Sequence, residues 1–259
     1  MNKNLNFDDK WVVVTGASSG LGEAICEELS IRYNANLILV ARRIDRLEKL
    51  KTRLLRFSKS KIAILQTDLS NSQELNEFFQ TIDREYDIYG AVINAGMTLI
   101  NPQLKIENFD IDRIVDLNIK STILLTNFFV SHFKKNNCDG GLLYISSLSS
   151  IFPTPYQSIY SGTKAFTNNF IFALSQEHIE NKFSFSIYTP GGIKTEMTMN
   201  NKWTHLDKFL SSPNYCAKIA ISGFCERKLI FSSKTSIELL LGKIIPLKWK
   251  LVLMRKIYT

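Results

Sequence analysis

Seven short apolar runs punctuate the chain: Trp11 to Thr15, Asn36 to Ala41, Lys61 to Gln66, Gly90 to Asn94, Gly141 to Ser146, Phe183 to Thr189 and Leu229 to Ser232. Several are nearly continuous in Val, Ile and Leu, as strands buried on both faces should be. Between them, stretches such as Leu21 to Arg32, Ser72 to Glu85 and Ala165 to Glu180 carry apolar residues at three- and four-residue spacing, as Leu75, Phe78, Phe79 and Ile82 do. Strand and helix therefore alternate. That alternation predicts an α/β chain built on a doubly wound parallel sheet of about seven strands, with helices on both faces.

No Pro-, Gly- or Ser-rich linker interrupts the pattern before about Ser211, so one domain is expected over residues 1–235. Residues 236–259 differ: ELLLGKIIPLKWKLVLMRKIYT is basic and apolar, is broken by Gly242 and Pro246, and reads as an amphipathic C-terminal extension. With 45% of 259 residues hydrophobic and 22% charged, disorder, collagen-like repeats and a small disulfide scaffold are excluded. Cys26, Cys138, Cys216 and Cys225 are scattered without CxxC pairs or histidines at ligand spacing, so no metal site is expected and a reducing, cytoplasmic setting fits. The polar start MNKNLNFDDK is not a secretory leader, and no apolar run approaches the roughly 18 residues of a membrane-spanning helix. The net charge of +8 permits anionic partners. Nucleic acid is not expected, because the basic residues are not interleaved with an aromatic platform.

Directly after the first run stands Thr15-Gly16-Ala17-Ser18-Ser19-Gly20-Leu21-Gly22, a glycine-rich turn opening into a helix. Glycines suit a backbone that must turn tightly and approach a pyrophosphate, while the helix N-terminus offers free N–H groups and partial positive charge. The second run ends Val40-Ala41-Arg42-Arg43. An acidic residue there would accept hydrogen bonds from a ribose 2′-hydroxyl; an arginine accommodates a 2′-phosphate. The two arginines predict NADP(H) over NAD, with Arg42 the stronger candidate. A solvated basic helix start is the other reading of the pair.

Tyr160 and Lys164 stand four residues apart in a helical pattern and so share a face. A phenol ionises near pH 10, and a neighbouring ammonium is expected to lower that value, which suits a proton donor at a developing alkoxide. Ser147 lies at the end of the fifth run, where ligands gather at the carboxyl ends of parallel strands. Its hydroxyl can stabilise charge growing on a carbonyl oxygen. Gly162, inside the same helix, costs on the order of 1 kcal/mol relative to alanine. Close packing beside a cofactor is the expected compensation.

Taken together, TGxxxGxG at Thr15 to Gly22, Asn94-Ala95-Gly96, Asn118, Ser147, the YxxxK of Tyr160 to Lys164, and Pro190-Gly191 with Thr195 resemble the short-chain dehydrogenase/reductase family over roughly residues 10 to 235. Ile93 departs from the NNAG common among relatives. The resemblance implies a Rossmann-like fold and a nicotinamide cofactor held by Gly16, Ser18, Ser19, Gly20, Leu21, Gly22, Arg42, Arg43, Asp68, Leu69, Asn94, Ala95, Gly96, Tyr160, Lys164, Pro190, Gly191, Ile193 and Thr195. It places Asp68 at the adenine, Asn94 as a brace for the cofactor loop and Thr195 at the nicotinamide carboxamide. Tyr160 becomes the general acid in reduction and base in oxidation, and Lys164 also holds the nicotinamide ribose. Asn118 completes the catalytic set by holding a proton-relaying water. A carbonyl or alcohol substrate and a homodimer or homotetramer are implied as well. None of His132, His178 and His205 falls on a catalytic position.

Two readings of function follow: an NADPH-dependent carbonyl reductase or alcohol dehydrogenase, or a non-catalytic NADP(H)-binding sensor or scaffold. A substrate lid is expected near residues 192–215, where Met197, Met199, Trp203, Phe209 and Leu210 either line a pocket for a hydrophobic substrate or simply pack. In the tail, Leu247, Leu251, Met254 and Tyr258 share one helical stripe and Lys248, Arg255 and Lys256 another. That arrangement suits peripheral contact with anionic membrane, or packing on the enzyme body or a partner subunit.

Overall fold

The computed structural model describes residues 4–101, 105–199, 208, 210–232 and 244–258. Seven parallel strands form one sheet: β1 (Trp11–Thr15), β2 (Asn36–Ala41), β3 (Ile62–Gln66), β4 (Ile88–Ile93), β5 (Gly141–Ile145), β6 (Ser184–Tyr188) and β7 (Ile230–Phe231). The chain winds outward from β1 in both directions, giving the order β3-β2-β1-β4-β5-β6-β7. This is the Rossmann-like doubly wound sheet expected from the alternation of periods.

The strands read as apolar runs because both sides of the sheet are covered. Successive residues feed two separate cores: Val12 and Val14 of β1 join one, Val13 the other, and Leu37 and Leu39 of β2 part from Ile38 and Val40 in the same way. One core is closed by α1 (Gly20–Glu27), α2 (Ile44–Leu54) and α8 (Pro213–Cys225). The other is closed by α3 (Ser72–Glu85), α5 (Ser121–Lys135) and α6 (Ser158–Glu177). Each helix turns its three- and four-spaced apolar stripe inward, as Leu75, Phe78 and Ile82 of α3 do.

The strand runs are matched closely, with differences at the ends. β4 begins at Ile88, ahead of the expected Gly90, because Ile88 pairs with Trp11. The last strand shortens to the two residues that pair with β6. α6 starts at Ser158 and stops at Glu177, seven residues ahead of the apolar pattern that marked it at one end and three short at the other. Helices α4 (Asn108–Val115) and α5 are joined by a π-turn, Asp116–Lys120, a local widening that often marks a functional position. Gly162 is exposed, and an added Cβ there would meet nothing within 4 Å, so close packing beside a ligand is not what offsets its helical cost.

Beyond β6 the chain forms α7 (Glu196–Met199), and Ile193 bridges Ser211 before α8. The final described element, α9 (Leu247–Tyr258), runs along the mouth of a cleft at the carboxyl ends of the strands. Among the described residues, no helix is long and apolar enough to cross a membrane, and no cluster of three potential metal ligands occurs.

Candidate active site

At the centre of the sheet the chain reverses its winding between β1 and β4, which leaves a crevice above the strand ends. Thr15 ties its two rims together. Its hydroxyl donates to the carbonyl of Val92 at 3.1 Å and accepts from the amides of Asn94 at 2.9 Å and Ala95 at 3.0 Å. Asn94 answers by donating to the carbonyls of Thr15 at 2.9 Å and Gly16 at 3.4 Å. These bonds hold the glycine turn against the loop after β4.

Side chains are sterically barred at two points in that turn. Gly16 lies at φ +67°, and a Cβ there would stand 2.8 Å from the Asn94 amide nitrogen. A Cβ on Gly22 would fall 2.2 Å from the Gly16 carbonyl oxygen. The first turn of α1 thereby lies flush with the loop and its N-terminal residues line the cleft, an arrangement that fits a pyrophosphate. The cleft has a volume of about 630 Å³ and is lined at this end by Gly16, Ser18, Ser19, Gly20, Leu21 and Gly22.

The two arginines after β2 part company. Arg42 turns to Asp68, 3.4 Å away. Burial works against ionisation of Asp68, but hydrogen bonds from Ser70 and the Arg42 guanidinium still hold its carboxyl below the ordinary range. Arg43 instead arches over the glycine turn, donating to the Ser18 hydroxyl at 3.1 and 3.2 Å and to Ser19 at 2.7 Å. On its outer side it meets Glu196 of α7 at 3.0 Å, a carboxylate that Arg46 also holds at 2.5 Å. The guanidinium and hydroxyls of Arg43, Ser18 and Ser19 make a small anion-seeking group beside the turn.

The other end of the cleft is built from β5 and α6. Ser147, just past β5, caps the short turn Leu148–Ser150, its hydroxyl accepting from the Ser149 amide at 3.1 Å. Ser147 and Tyr160 line the same stretch of the cleft. Burial pushes the phenol's pKa up; the Ser147 hydrogen bond pulls the other way, and the nearby Tyr258 adds to the rise. Lys164, one turn further along α6, donates to the Ile145 carbonyl at 2.7 Å and lies 5.9 Å from the centre of the Tyr160 ring. Desolvation lowers its pKa to about 8. The net shift of Tyr160 is thus upward, against the expected lowering: burial dominates both groups, and each is pushed toward its neutral form.

Every residue singled out from the sequence as a cofactor contact lines this one cleft: the glycine turn, Arg42 and Arg43, Asp68 and Leu69, Asn94 to Gly96, Tyr160, Lys164, Pro190, Gly191, Ile193 and Thr195. Ser147 joins them. Asn118 does not. It lies in the π-turn behind Gly96, where its side chain accepts from the Met97 amide at 2.9 Å and donates to the Met97 carbonyl at 2.9 Å and the Thr163 hydroxyl at 3.1 Å. These bonds tie the loop after β4 to α6 and so set the spacing of the cleft's two rims.

Sequence reasoning passed over Thr15 as a functional residue and missed the apolar wall contributed by Leu148, Phe152, Ile257 and Met254. From the expected lid, Met197 and Leu210 line the cleft; Trp203, Phe209 and the Met199 side chain lie outside the described residues. The tail's stripe is rotated relative to the one drawn from spacing. Leu247 and Leu251 are exposed, and the inward set is Lys250, Met254, Ile257 and Tyr258. The i, i+4 pair of Met254 and Tyr258 was the signal available for it. His132, which falls on no catalytic position, is buried, its Nε2 accepting from the Ile88 amide at 3.2 Å.

Comparison with known proteins agrees with this fold. The profile of the short chain dehydrogenase family matches residues 10–205. An "11-beta-hydroxysteroid dehydrogenase-like 2" of Arabidopsis thaliana is 34% identical over 205 residues, covering 76% of this chain and 64% of the relative. The chain therefore aligns with slightly less than two thirds of that relative's length. In fold it is similar to a short-chain dehydrogenase from Sphingobium yanoikuyae solved in complex with NADPH, with a TM-score of 0.82 and 24% identity over 95% of this chain and 93% of that one. It is equally similar to a short chain dehydrogenase/reductase from Burkholderia phymatum solved with NAD, with a TM-score of 0.81 and 16% identity over 93% and 94%.

Proposed function

This chain belongs to the short-chain dehydrogenase family of oxidoreductases, and from that premise we propose that it is an NADP(H)-dependent enzyme interconverting a carbonyl group and a secondary alcohol on a hydrophobic substrate. The observation that carries the proposal is the set of Ser147, Tyr160 and Lys164 lining the same cleft as the glycine turn, with the Lys164 ammonium 5.9 Å from the centre of the Tyr160 ring. When bound, a reduced nicotinamide supplies the hydride. The chain's residues supply the rest.

In the reducing direction a carbonyl oxygen lies between the Ser147 hydroxyl and the Tyr160 phenol. Ser147 donates a hydrogen bond to it, and Tyr160 passes its proton as negative charge grows there. Burial holds Tyr160 in the protonated form that this step needs. Lys164, with a pKa of about 8, is mostly charged at neutral pH and stabilises the phenolate left behind. Oxidation runs these steps backwards and needs the phenolate first, so it should accelerate as pH rises while reduction does not. The apolar lining from Leu148, Phe152, Met197, Leu210 and Met254 favours a hydrophobic substrate.

Arg43 supports the preference for NADP(H). A 2′-phosphate placed beside Ser18 and Ser19 would take charge-assisted bonds from Arg43, which Glu196 otherwise occupies. Hydrogen bonds to charged groups are each worth about 1.5–3 kcal/mol. Arg43→Ala should therefore raise the KM for NADPH roughly tenfold to a hundredfold and leave that for NADH nearly unchanged. Equal losses with both cofactors would refute the assignment.

The test of the reaction is turnover of purified protein with NADPH over a panel of aldehydes, small ketones and bulky apolar ketones, read as loss of reduced-nicotinamide absorbance. Turnover of bulky ketones is expected. NADPH binding without turnover of any compound would replace the enzyme with a sensor.

A further inference from the structure

Helix α9 has two unlike faces. Its inner stripe points at the cleft: Met254, Ile257 and Tyr258 line the substrate end, and the Lys250 ammonium stands 5.6 Å from the centre of the Phe152 ring. Its outer face carries Leu247, Trp249, Leu251, Val252 and Leu253, exposed by 61%, 66%, 46%, 44% and 45%. Ile244 just ahead of the helix is 65% exposed. Lone exposed apolar residues are ordinary; six large ones within residues 244–253 mark a surface built for contact.

The chemistry of the face selects what it contacts. Exposed Lys248, Arg255 and Lys256 are interspersed with the apolar residues, and the helix contains no acidic residue. A second copy of the chain packed symmetrically on this face would bring like charges together. An acidic lipid surface matches both properties, with headgroups for the cations and the acyl boundary for Leu, Val and Trp. The 12 residues of α9 are too few to span a bilayer, so the helix must lie in its plane.

We propose that α9 seats this protein on an anionic bilayer and thereby sets the substrate end of the cleft against the lipid, so that apolar carbonyl or alcohol compounds dissolved there enter past Met254, Ile257 and Tyr258. The docking stands on the face alone; the delivery of substrate rests on the redox function proposed above.

Co-sedimentation of the full chain with vesicles of phosphatidylcholine, with and without phosphatidylglycerol, tests the docking. Binding to the anionic vesicles is expected, weakened by added salt. A triple variant, Trp249→Ser with Leu251→Ser and Leu253→Ser, should bind at least tenfold more weakly. Lys248→Gln with Lys256→Gln should lose about thirtyfold, the equivalent of about 1 kcal/mol for each cation near an anionic surface. NADPH affinity and thermal midpoint serve as controls that each variant is folded. Full chain left in the supernatant, or a triple variant that sediments as well as the parent, overturns the docking. So does a chain that ignores vesicles and dimerises until the triple substitution makes it monomeric.

Delivery is tested separately. A bulky apolar ketone carried in anionic vesicles should be turned over at least threefold faster than in neutral ones, whereas a water-soluble ketone should not respond. No difference overturns the delivery. A protein that binds anionic vesicles but oxidises no NADPH with any ketone supports the docking and overturns both the redox function and the delivery that depends on it.

Discussion

Tyr160→Phe is expected to lower turnover about a thousandfold, within the range of roughly 10² to 10⁴ that a positioned general acid contributes. The substitution removes one oxygen and leaves the ring that lines the cleft. NADPH affinity should therefore stay within about twofold of the parent, because the glycine turn at Gly16 to Gly22 and the Arg43 group are built from other elements. The remaining activity should come from Ser147, which keeps its hydrogen bond from the Ser149 amide and still faces the carbonyl oxygen. A variant with turnover within tenfold of the parent would remove Tyr160 as proton donor and, with it, the reaction proposed here. Cofactor titration by fluorescence together with single-turnover kinetics separates loss of chemistry from loss of binding.

Lys164→Met should show the opposite signs for stability and activity. The folded protein lowers the lysine's pKa from 10.5 to about 8 by desolvation, so the native state binds fewer protons than the unfolded chain between these values. Stability of the parent must then rise as pH increases from about 8 to about 10.5, and below that window it carries the full cost of the buried charge. At 1.36 kcal/mol per pKa unit this cost is about 3 kcal/mol. Methionine removes it, but leaves the Ile145 carbonyl without the donor now 2.7 Å away, a loss of about 1–2 kcal/mol. Denaturant unfolding at pH 7 should find the variant about 1–2 kcal/mol more stable than the parent, and at pH 10.5 no more stable. Turnover should nevertheless collapse, because nothing remains to stabilise the Tyr160 phenolate. A variant less stable than the parent at pH 7, or one whose stability difference ignores pH, would show that the ammonium is not desolvated as described.

Much of the architecture is legible in the sequence alone. Continuous apolar runs such as Leu37 to Val40 announce a strand buried on both sides, and the spacing of Leu75, Phe78 and Ile82 a helix covering it. Both signals are local, set by which neighbours along the chain share a face. The glycine turn was legible for the same reason: Gly16 and Gly22 are required by clashes within one short loop and the strand end beside it.

Arrangement across the cleft was not. The sequence made Arg42 the stronger candidate for a phosphate; in the fold Arg42 pairs with Asp68 and Arg43 lies beside Ser18 and Ser19. The choice depends on how β2 lies against β1 and where the turn after it points, which no periodicity encodes. The lysine–tyrosine pair was found by spacing, yet its electrostatics were misjudged, because desolvation depends on what covers α6 rather than on the helix itself.

The sequence by itself thus determined the order of strands and helices, the glycine turn, and the residues gathered at one end of the sheet. Each is dictated by interactions among residues close in the chain or by the crossover rules of parallel strands. Only the tertiary structure decided which arginine guards the turn, that Glu196 reaches Arg43 across 153 residues, and that α9 lies along the cleft with Met254, Ile257 and Tyr258 turned inward. Those outcomes arise from burial and charge between segments far apart in sequence, and such energies exist only once the sheet has brought the segments together.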